Sequence, residues 1–275
     1  KECPACQGMD ASFSSRTELQ PVAPVAVNYM LGIDTKGPLP RSAAGNLYVV
    51  STIDYHSKWV EARAIPNKEA TTVARFFQED ILSRHLCPAV VVADQGTEWQ
   101  GAFAKLLESN NIELRHTSAY HPQGNGMIER WNRTLAQAMV RHSAADPTYW
   151  DTYMSSILRG YRASVQASTG FSPFELQYGR SPRLGMPRPQ SQLIELPPEP
   201  TEEAVQQLLA HVSQLEEDSR TNILRAQERQ KRNYDQRRAQ EGHEKLTAGT
   251  YVWLLHNKRQ HKLTKNTKGP FLLEA

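Results

Sequence analysis

The sequence predicts an α/β fold in which a mixed sheet of five strands carries helices on its faces, followed by a long helix and a small β module. Three apolar bursts within residues 25–65, separated by short turns, predict an antiparallel meander. Two more apolar runs follow segments with helical spacing, and they predict strands that are reached by crossover helices. With 275 residues, the chain is long enough to bury the core of such a domain and to add smaller modules.

The elements of the main domain follow in the order β-β-β-α-β-α-β. The strands are predicted at 25–33, 47–53, 59–65, 89–93 and 112–116. Apolar residues at a spacing of three or four predict helices at 68–86 and 102–109. Further helices are predicted near 126–145, 147–163 and 172–178. The last of these opens with Ser172-Pro-Phe-Glu175, which has the spacing of a capping box.

The C-terminal third differs from the main domain in composition. A proline-rich stretch at 186–200 ends the main domain, since proline suits the interior of neither a helix nor a strand. Residues 201–238 then show a broad helical period that becomes rich in lysine and arginine, so we expect a spacer helix detached from the core. A strand at 249–255 begins a β module that we expect to be incomplete. The expected domains are 1–24, 25–185, 186–245 and 246–275.

Charge and cysteine content exclude some classes of protein. The net charge of +3 is too mild to prove a polyanionic partner, although basic residues gather in the C-terminal third. No apolar stretch approaches the roughly 20 residues of a membrane helix, and the N-terminus lacks the layout of a signal peptide. We therefore expect an intracellular protein. Three cysteines do not make a disulfide framework, and Cys87, which precedes an apolar run, is expected to pack in the core.

Three carboxylates far apart in the chain are the main candidates for chemistry. Asp34 and Asp94 each follow an apolar run beside a glycine-containing turn, which is how a strand delivers a side chain to the edge of a sheet. Glu129 lies in the first turns of a predicted helix. Acids gathered at one edge repel one another, so such a trio indicates divalent cations, and paired Mg²⁺ ions serve phosphoryl transfer. Singly, each acid has an ordinary role as a strand-end cap or a helix N-terminal charge.

The sequence segments around these acids resemble the catalytic blocks of integrases from gypsy-type LTR retrotransposons and retroviruses. The matching blocks are Ile33-Asp34-Thr-Lys-Gly-Pro-Leu-Pro40, Ala93-Asp94-Gln-Gly-Thr-Glu-Trp-Gln100, Ala119-Tyr-His-Pro-Gln-Gly-Asn-Gly-Met-Ile-Glu129-Arg-Trp-Asn-Arg-Thr-Leu135 and Ser168-Thr-Gly-Phe-Ser-Pro-Phe-Glu-Leu-Gln-Tyr-Gly-Arg180. The resemblance covers nearly the whole chain and implies an RNase H-like core whose metal triad is Asp34, Asp94 and Glu129. One departure is that residues 95–128 separate the last two acids, one residue fewer than the family's usual spacing.

The resemblance implies an activity, cofactors and partners. The activity is metal-dependent 3′-end processing and strand transfer of element DNA into target DNA, with two Mg²⁺ or Mn²⁺ ions. The partners are double-stranded DNA and further copies of the chain, and action on chromosomal DNA implies a nuclear location. Two alternatives remain open. One is a domesticated or decayed copy that binds DNA or protein without catalysis, and the other is a different RNase H-like nuclease or transposase.

Basic and polar residues after Glu129 and in the C-terminal β module are candidates for DNA contacts. Arg130, Asn132 and Arg133 follow Glu129 on one helix, where arginine can fork two hydrogen bonds to a phosphate. An exposed polar helix face explains them equally well. Residues 249–275 resemble the start of the SH3-like barrel that ends gypsy-type integrases. Its basic loop, for which a solvated surface is the alternative, contains Lys258, Arg259, Lys262, Lys265 and Lys268.

Four further residues are weaker candidates for a role in metal binding or catalysis. Cys3 and Cys6 have zinc-ligand spacing and resemble the last turn of the family's His-His-Cys-Cys module, but the two histidines are absent, so Zn²⁺ is expected only if the parent protein supplies them. Asp54 is the carboxylate that competes with the triad, and we expect a turn acid because its block does not match the catalytic positions. Glu98 is close to Asp94 and could touch a second metal, yet we expect a solvated loop acid.

Overall fold

The computed structural model describes residues 23–117, 126–144, 146–183, 202–240, 251–255 and 267–272. These residues divide into two compact units, one that ends at Glu228 and one that begins at Arg229. Several predictions lie outside the described residues, namely those for Cys3, Cys6, Lys258, Arg259, Lys262 and Lys265. Among the described helices, none is both long and apolar enough to cross a membrane.

The first unit is built on a five-stranded sheet with the order β3-β2-β1-β4-β5. Its strands are β1 (Met30–Lys36), β2 (Tyr48–Asp54), β3 (Val60–Ile65), β4 (Val90–Ala93) and β5 (Glu113–His116). The first three pair antiparallel, which confirms the predicted meander. The last two are parallel to β1 and to each other, because a helix carries the chain back before each of them. The mixed sheet is therefore confirmed.

Helices cover both faces of this sheet. They are α1 (Ala70–Phe76), continued by a π-helical stretch (Phe77–Leu82) and a last turn (Ser83–His85), then α2 (Ala102–Ser109), α3 (Gly126–His142), α4 (Met154–Ala163) after a 3-10 turn (Pro147–Tyr153), α5 (Pro173–Tyr178) and α6 (Glu202–Gln240). The expected capping box opens α5, since Ser172 and Glu175 exchange hydrogen bonds with each other's backbone N–H. The segments predicted from helical periodicity are helical in the described residues, although Phe77–Leu82 is π-helical and Pro147–Tyr153 is a 3-10 helix.

Two apolar cores lie on opposite faces of the sheet. One contains Phe76, Phe77 and Phe103 from α1, its π-helical extension and α2. The other contains Trp131 and Leu135 of α3 together with residues of α4. Side chains alternate between these faces along each strand. Position 32 in β1 lies on the α3 face, because a Cβ added to Gly32 would contact Ile128. Position 34 therefore lies on the α3 face as well.

The expectation that the long helix is detached from the core is wrong for its first part. Residues of α6 up to Glu228 belong to the same unit as the sheet. His56 Nε2 and Ser219 Oγ lie 2.7 Å apart, and Asn222 Nδ2 donates to Thr169 O at 2.8 Å. Ile223 is buried with them. The face of α6 that carries Ser219, Asn222 and Ile223 therefore packs against the turn after β2 and the loop before α5.

Two smaller predictions also change. Cys87 is exposed and not part of the core. Asp34 lies within β1, two residues before the strand ends, and not at its end. In the second unit, β6 (Tyr251–Leu255) and β7 (Thr267–Leu272) form an antiparallel pair. This pair contains the predicted strand at 249–255, while the barrel that the resemblance implies stays a prediction.

Candidate active site

Asp34 and Asp94 lie next to each other at one edge of the sheet. Strands β1 and β4 pair in parallel with Gly32 opposite Val92. Continuing that register by two residues sets Asp34 opposite Asp94, and both then lie on the face covered by α3. Asp94 comes directly after the last residue of β4 and is exposed. The topology therefore gathers two carboxylates that are 60 positions apart in the sequence.

The surroundings of Asp34 perturb its ionisation. Burial raises the pKa of Asp34 to about 6, and the negative charges of Asp94 and Glu129 act in the same direction. Hydrogen bonds oppose this shift, because Thr35 N donates to Asp34 Oδ1 and Asn132 Nδ2 donates to Asp34 Oδ2, each at 2.7 Å. Asp94 and Glu129 therefore both lie within electrostatic range of Asp34.

Asp94 is held by the loop that follows it. Its Oδ1 accepts hydrogen bonds from Gly96 N at 2.9 Å and from Trp99 Nε1. The Trp99 ring is buried and packs edge-on against Phe103 of α2. One side of the Asp94 carboxylate is thus fixed by a residue that is itself anchored in the core.

Glu129 is delivered by the first turns of α3. Ile128 and Trp131 on either side of it are fully or almost fully buried, so they fix the rotation of the helix on the sheet. Glu129, Arg130 and Arg133 are exposed on the opposite side. Asn132 differs from this group because it is buried and donates to Asp34. The expected polar face is therefore split between an exposed arginine pair and an asparagine that belongs to the acidic site.

That Asp34, Asp94 and Glu129 share cations stays a prediction. Among the described residues, no group of three or more His, Cys, Asp or Glu side chains has the arrangement of a metal site. Donors from Thr35, Asn132 and Trp99 hold oxygens of Asp34 and Asp94 in fixed directions.

The expectation that Glu98 is a solvated loop acid is wrong. The residue is only 6% exposed. Its Oε1 accepts from Thr35 Oγ1 at 2.9 Å and from Lys68 Nζ at 3.2 Å. The signal that could have revealed it is the adjacent Trp99, because a buried ring of that size pulls the short turn around it into the core.

Asp54 lies away from these acids and confirms the predicted turn role. In the pairing of β1 with β2, Asp34 is opposite Ser51, whereas Asp54 is opposite Leu31 near the other end of β1. Asp54 accepts hydrogen bonds from Ser57 N, Ser57 Oγ and Asn28 N. Burial raises its pKa, and the bonds from Ser57 oppose that shift. Its carboxylate stabilises the turn between β2 and β3.

The site can be set against known proteins. Residues 24–122 match the family model described as Integrase core domain, a range that contains Asp34 and Asp94. The retrovirus-related Pol polyprotein from transposon 412 of Drosophila melanogaster is 29% identical over 248 residues, which cover 88% of this chain and 19% of that protein. The Pol polyprotein of Radiation murine leukemia virus is 32% identical over 145 residues, which cover 51% of this chain and 24% of that protein.

Comparison of structures gives the same fold. A chain of the simian T-cell lymphotropic virus intasome, determined in complex with PP2A regulatory subunit B56 gamma, superposes with a TM-score of 0.54 at 17% sequence identity. The superposition covers 70% of this chain and 68% of that chain. The chain spans less than a quarter of the length of the two polyproteins that it matches. Residues 24–122 thus match the integrase core domain, and the chain is similar to Pol polyproteins of a retrotransposon and a retrovirus.

Proposed function

We propose that this chain is a retrotransposon-type integrase, a metal-dependent polynucleotidyl transferase that processes the 3′ ends of element DNA and joins them to target DNA. The observation that carries the proposal is the juxtaposition of Asp34 and Asp94 on adjacent parallel strands, with Glu129 near enough to perturb Asp34. Clustered acids at a sheet edge suit phosphoryl transfer, in which negative charge must be balanced at the reacting phosphate. The integrase core domain in the same residues supports this reading.

The donor set suits two Mg²⁺ or Mn²⁺ ions. Carboxylate oxygens are the ligands that these hard cations prefer. The site also contains acceptors without donors, because Asn132 Oδ1 and Glu98 Oε2 are buried and unpaired. We assign Asp34 and Asp94 as ligands of both ions and Glu129 as a ligand of one. When bound, the ions would activate the attacking oxygen and stabilise the leaving oxygen.

The remaining residues of the site orient these acids and contact DNA. Asn132 holds one oxygen of Asp34, and Trp99 holds one oxygen of Asp94, so both carboxylates keep a defined direction. Arg130 and Arg133 are exposed beside Glu129 and suit phosphate contacts. We propose further contacts, independent of DNA sequence, from a basic group at Lys258, Arg259, Lys262 and Lys265.

The alternative is a domesticated or decayed copy that binds DNA or protein without catalysis. The observation behind it is that protein donors, Asn132 and Trp99, occupy one oxygen each of Asp34 and Asp94. For the integrase function we propose a homo-oligomer that acts on double-stranded DNA in the nucleus. Zn²⁺ is proposed only if the parent protein supplies histidines before Cys3 and Cys6.

A strand-transfer assay tests the proposal. The unmodified chain is incubated with paired-end oligonucleotides and target DNA, with Mn²⁺ in one arm and EDTA in the other. We expect joined product only with Mn²⁺. If the chain binds both DNAs but yields no joined or trimmed product with Mn²⁺ or Mg²⁺, the decayed-copy function is correct and the enzyme proposal is wrong.

A further inference from the structure

Glu98 has a buried carboxylate oxygen that the hydrogen-bond network leaves unpaired. The residue lies in the 3-10 turn Thr97–Trp99 that connects β4 to α2, and it is 6% exposed. Its Oε1 has two donors, Thr35 Oγ1 and Lys68 Nζ, but its buried Oε2 has none. A buried charged oxygen without a donor is costly, so this arrangement needs a physical reason.

The unpaired oxygen of Glu98 lies over Gly96, together with Asp94. A Cβ added to Gly96 would be 2.5 Å from Glu98 Oε2 and 3.0 Å from Asp94 Oδ1. Both carboxylates therefore lie close to Gly96, where the absence of a side chain leaves room for them. Two negative charges that lie close to the same residue repel each other where water is partly excluded.

The opposite side of Glu98 is linked to Asp34. Thr35 donates its hydroxyl to Glu98 Oε1 and its backbone N–H to Asp34 Oδ1. Glu98 is thus one hydrogen-bonded residue away from Asp34 and in direct proximity to Asp94. Lys68 balances the charge of Glu98 only in part, because half of its side chain is exposed and solvent screens the pair.

We propose that Glu98 is a positioning residue that couples cation binding at Asp34 and Asp94 to the stability of the loop between β4 and α2. This inference rests on the proposed function and extends it to a fourth carboxylate. Without a divalent cation, repulsion between Glu98 and Asp94 destabilises the loop. A cation at Asp94 offsets that repulsion, so binding tightens the loop and the negative charge of Glu98 strengthens the binding.

The test compares the unmodified chain with Glu98→Gln, and with Glu108→Gln as an exposed control on α2. The melting temperature is measured without divalent cation and with Mn²⁺, and Mn²⁺ affinity is measured by calorimetric titration. We expect Glu98→Gln to melt higher than the unmodified chain without cation, because the amide removes the repulsion. We expect Mn²⁺ to stabilise it less and to bind about tenfold more weakly. Glu108→Gln should match the unmodified chain.

A second variant, Lys68→Met, tests the charge of Glu98 by removing its positively charged partner. Lys68 is half-exposed, so its replacement leaves the core intact. Loss of its positive charge should lower the melting temperature without cation and increase the stabilisation by Mn²⁺. If Mn²⁺ stabilises the unmodified chain, Glu98→Gln and Lys68→Met equally, the inference about Glu98 is wrong and the proposed function stands. If the unmodified chain shows no response to Mn²⁺, both are overturned.

Discussion

At the scale of single residues, Asp34 combines partial burial with two acidic neighbours. Its folded pKa of about 6 lies above the ordinary value of 3.8, so the folded chain binds a proton more readily than the unfolded chain in that interval. The ionised carboxylate therefore lowers stability above pH 6, and this loss disappears as the pH falls through about 6 towards 4. Cation binding would offset the same unfavourable charge, which relates the stability of this residue to its proposed role.

A pH series on Asp34→Asn checks this sign. The neutral amide removes the unfavourable charge, so we expect Asp34→Asn to gain stability relative to the unmodified chain at pH 7.5, by about 1 kcal/mol or more. The gain should shrink as the pH is lowered to 5, where the unmodified Asp34 is protonated. Denaturant unfolding at several pH values, without divalent cation, measures it. A gain that stays constant between pH 5 and 7.5 would contradict the account.

Trp99 provides a second prediction at the same scale. Trp99→Phe retains an aromatic ring in the core but removes the Nε1 donor to Asp94, so the carboxylate loses its direction. We expect joining of DNA ends to fall much more than the loss of stability explains, which should be about 1–3 kcal/mol. Trp150→Phe is a matched control, because it removes a similar buried bond, to Pro40 O, away from the site. Equal losses of joining in both variants would contradict the orienting role.

At the scale of elements, the docking of α6 is the main departure from the sequence-based account. The proline-rich segment indicated a domain end, and the pattern after it indicated a helix. Neither feature predicts whether that helix packs against the core. Its packing depends on long-range contacts, such as the one between Ser219 and His56, which are 163 positions apart. Strand periodicity, by contrast, is a local property, which is why the five strands could be predicted from the sequence.

The contrast between local patterns and long-range contacts also explains which parts of the site could be predicted from the sequence. Asp34, Asp94 and Glu129 were identifiable from their motifs, and the parallel register of β1 and β4 then brings the two aspartates together. The adjacent Trp99 was the one local signal for the buried position of Glu98, whose contacts with Thr35 and Lys68 come from distant segments.

Neighbouring residues on α6 test its docking. Ile223 is 4% exposed, whereas Leu224 is 45% exposed. Ile223→Ala should destabilise the first unit by about 2–5 kcal/mol, since it opens a cavity between α6 and the core. Leu224→Ala should change stability by only about 0.5 kcal/mol, as for an exposed position. The free energies of unfolding of both variants are measured by denaturant titration. Similar losses of stability in both variants would mean that α6 does not dock in solution.

At the scale of the whole molecule, the distribution of charge separates chemistry from binding. Asp34 and Asp94 lie together at one edge of the sheet, while α3 and α6 each carry exposed arginines. The exposed positions are Arg130, Arg133, Arg220, Arg225, Arg229 and Arg232. Phosphate contacts from such residues supply affinity that is independent of sequence and sensitive to salt. The carboxylates repel phosphate, so they add nothing to that affinity in the absence of a cation.

The account therefore depends most directly on one comparison, between the unmodified chain and Asp94→Asn. Joining of paired-end oligonucleotides to target DNA is measured with Mn²⁺, and DNA affinity is measured by fluorescence anisotropy at the same salt concentration. The account predicts that Asp94→Asn loses joining while its DNA affinity stays unchanged, because Asp94 serves the reaction and arginines serve binding. Joining by Asp94→Asn at the rate of the unmodified chain would contradict the assignment of this acid to catalysis.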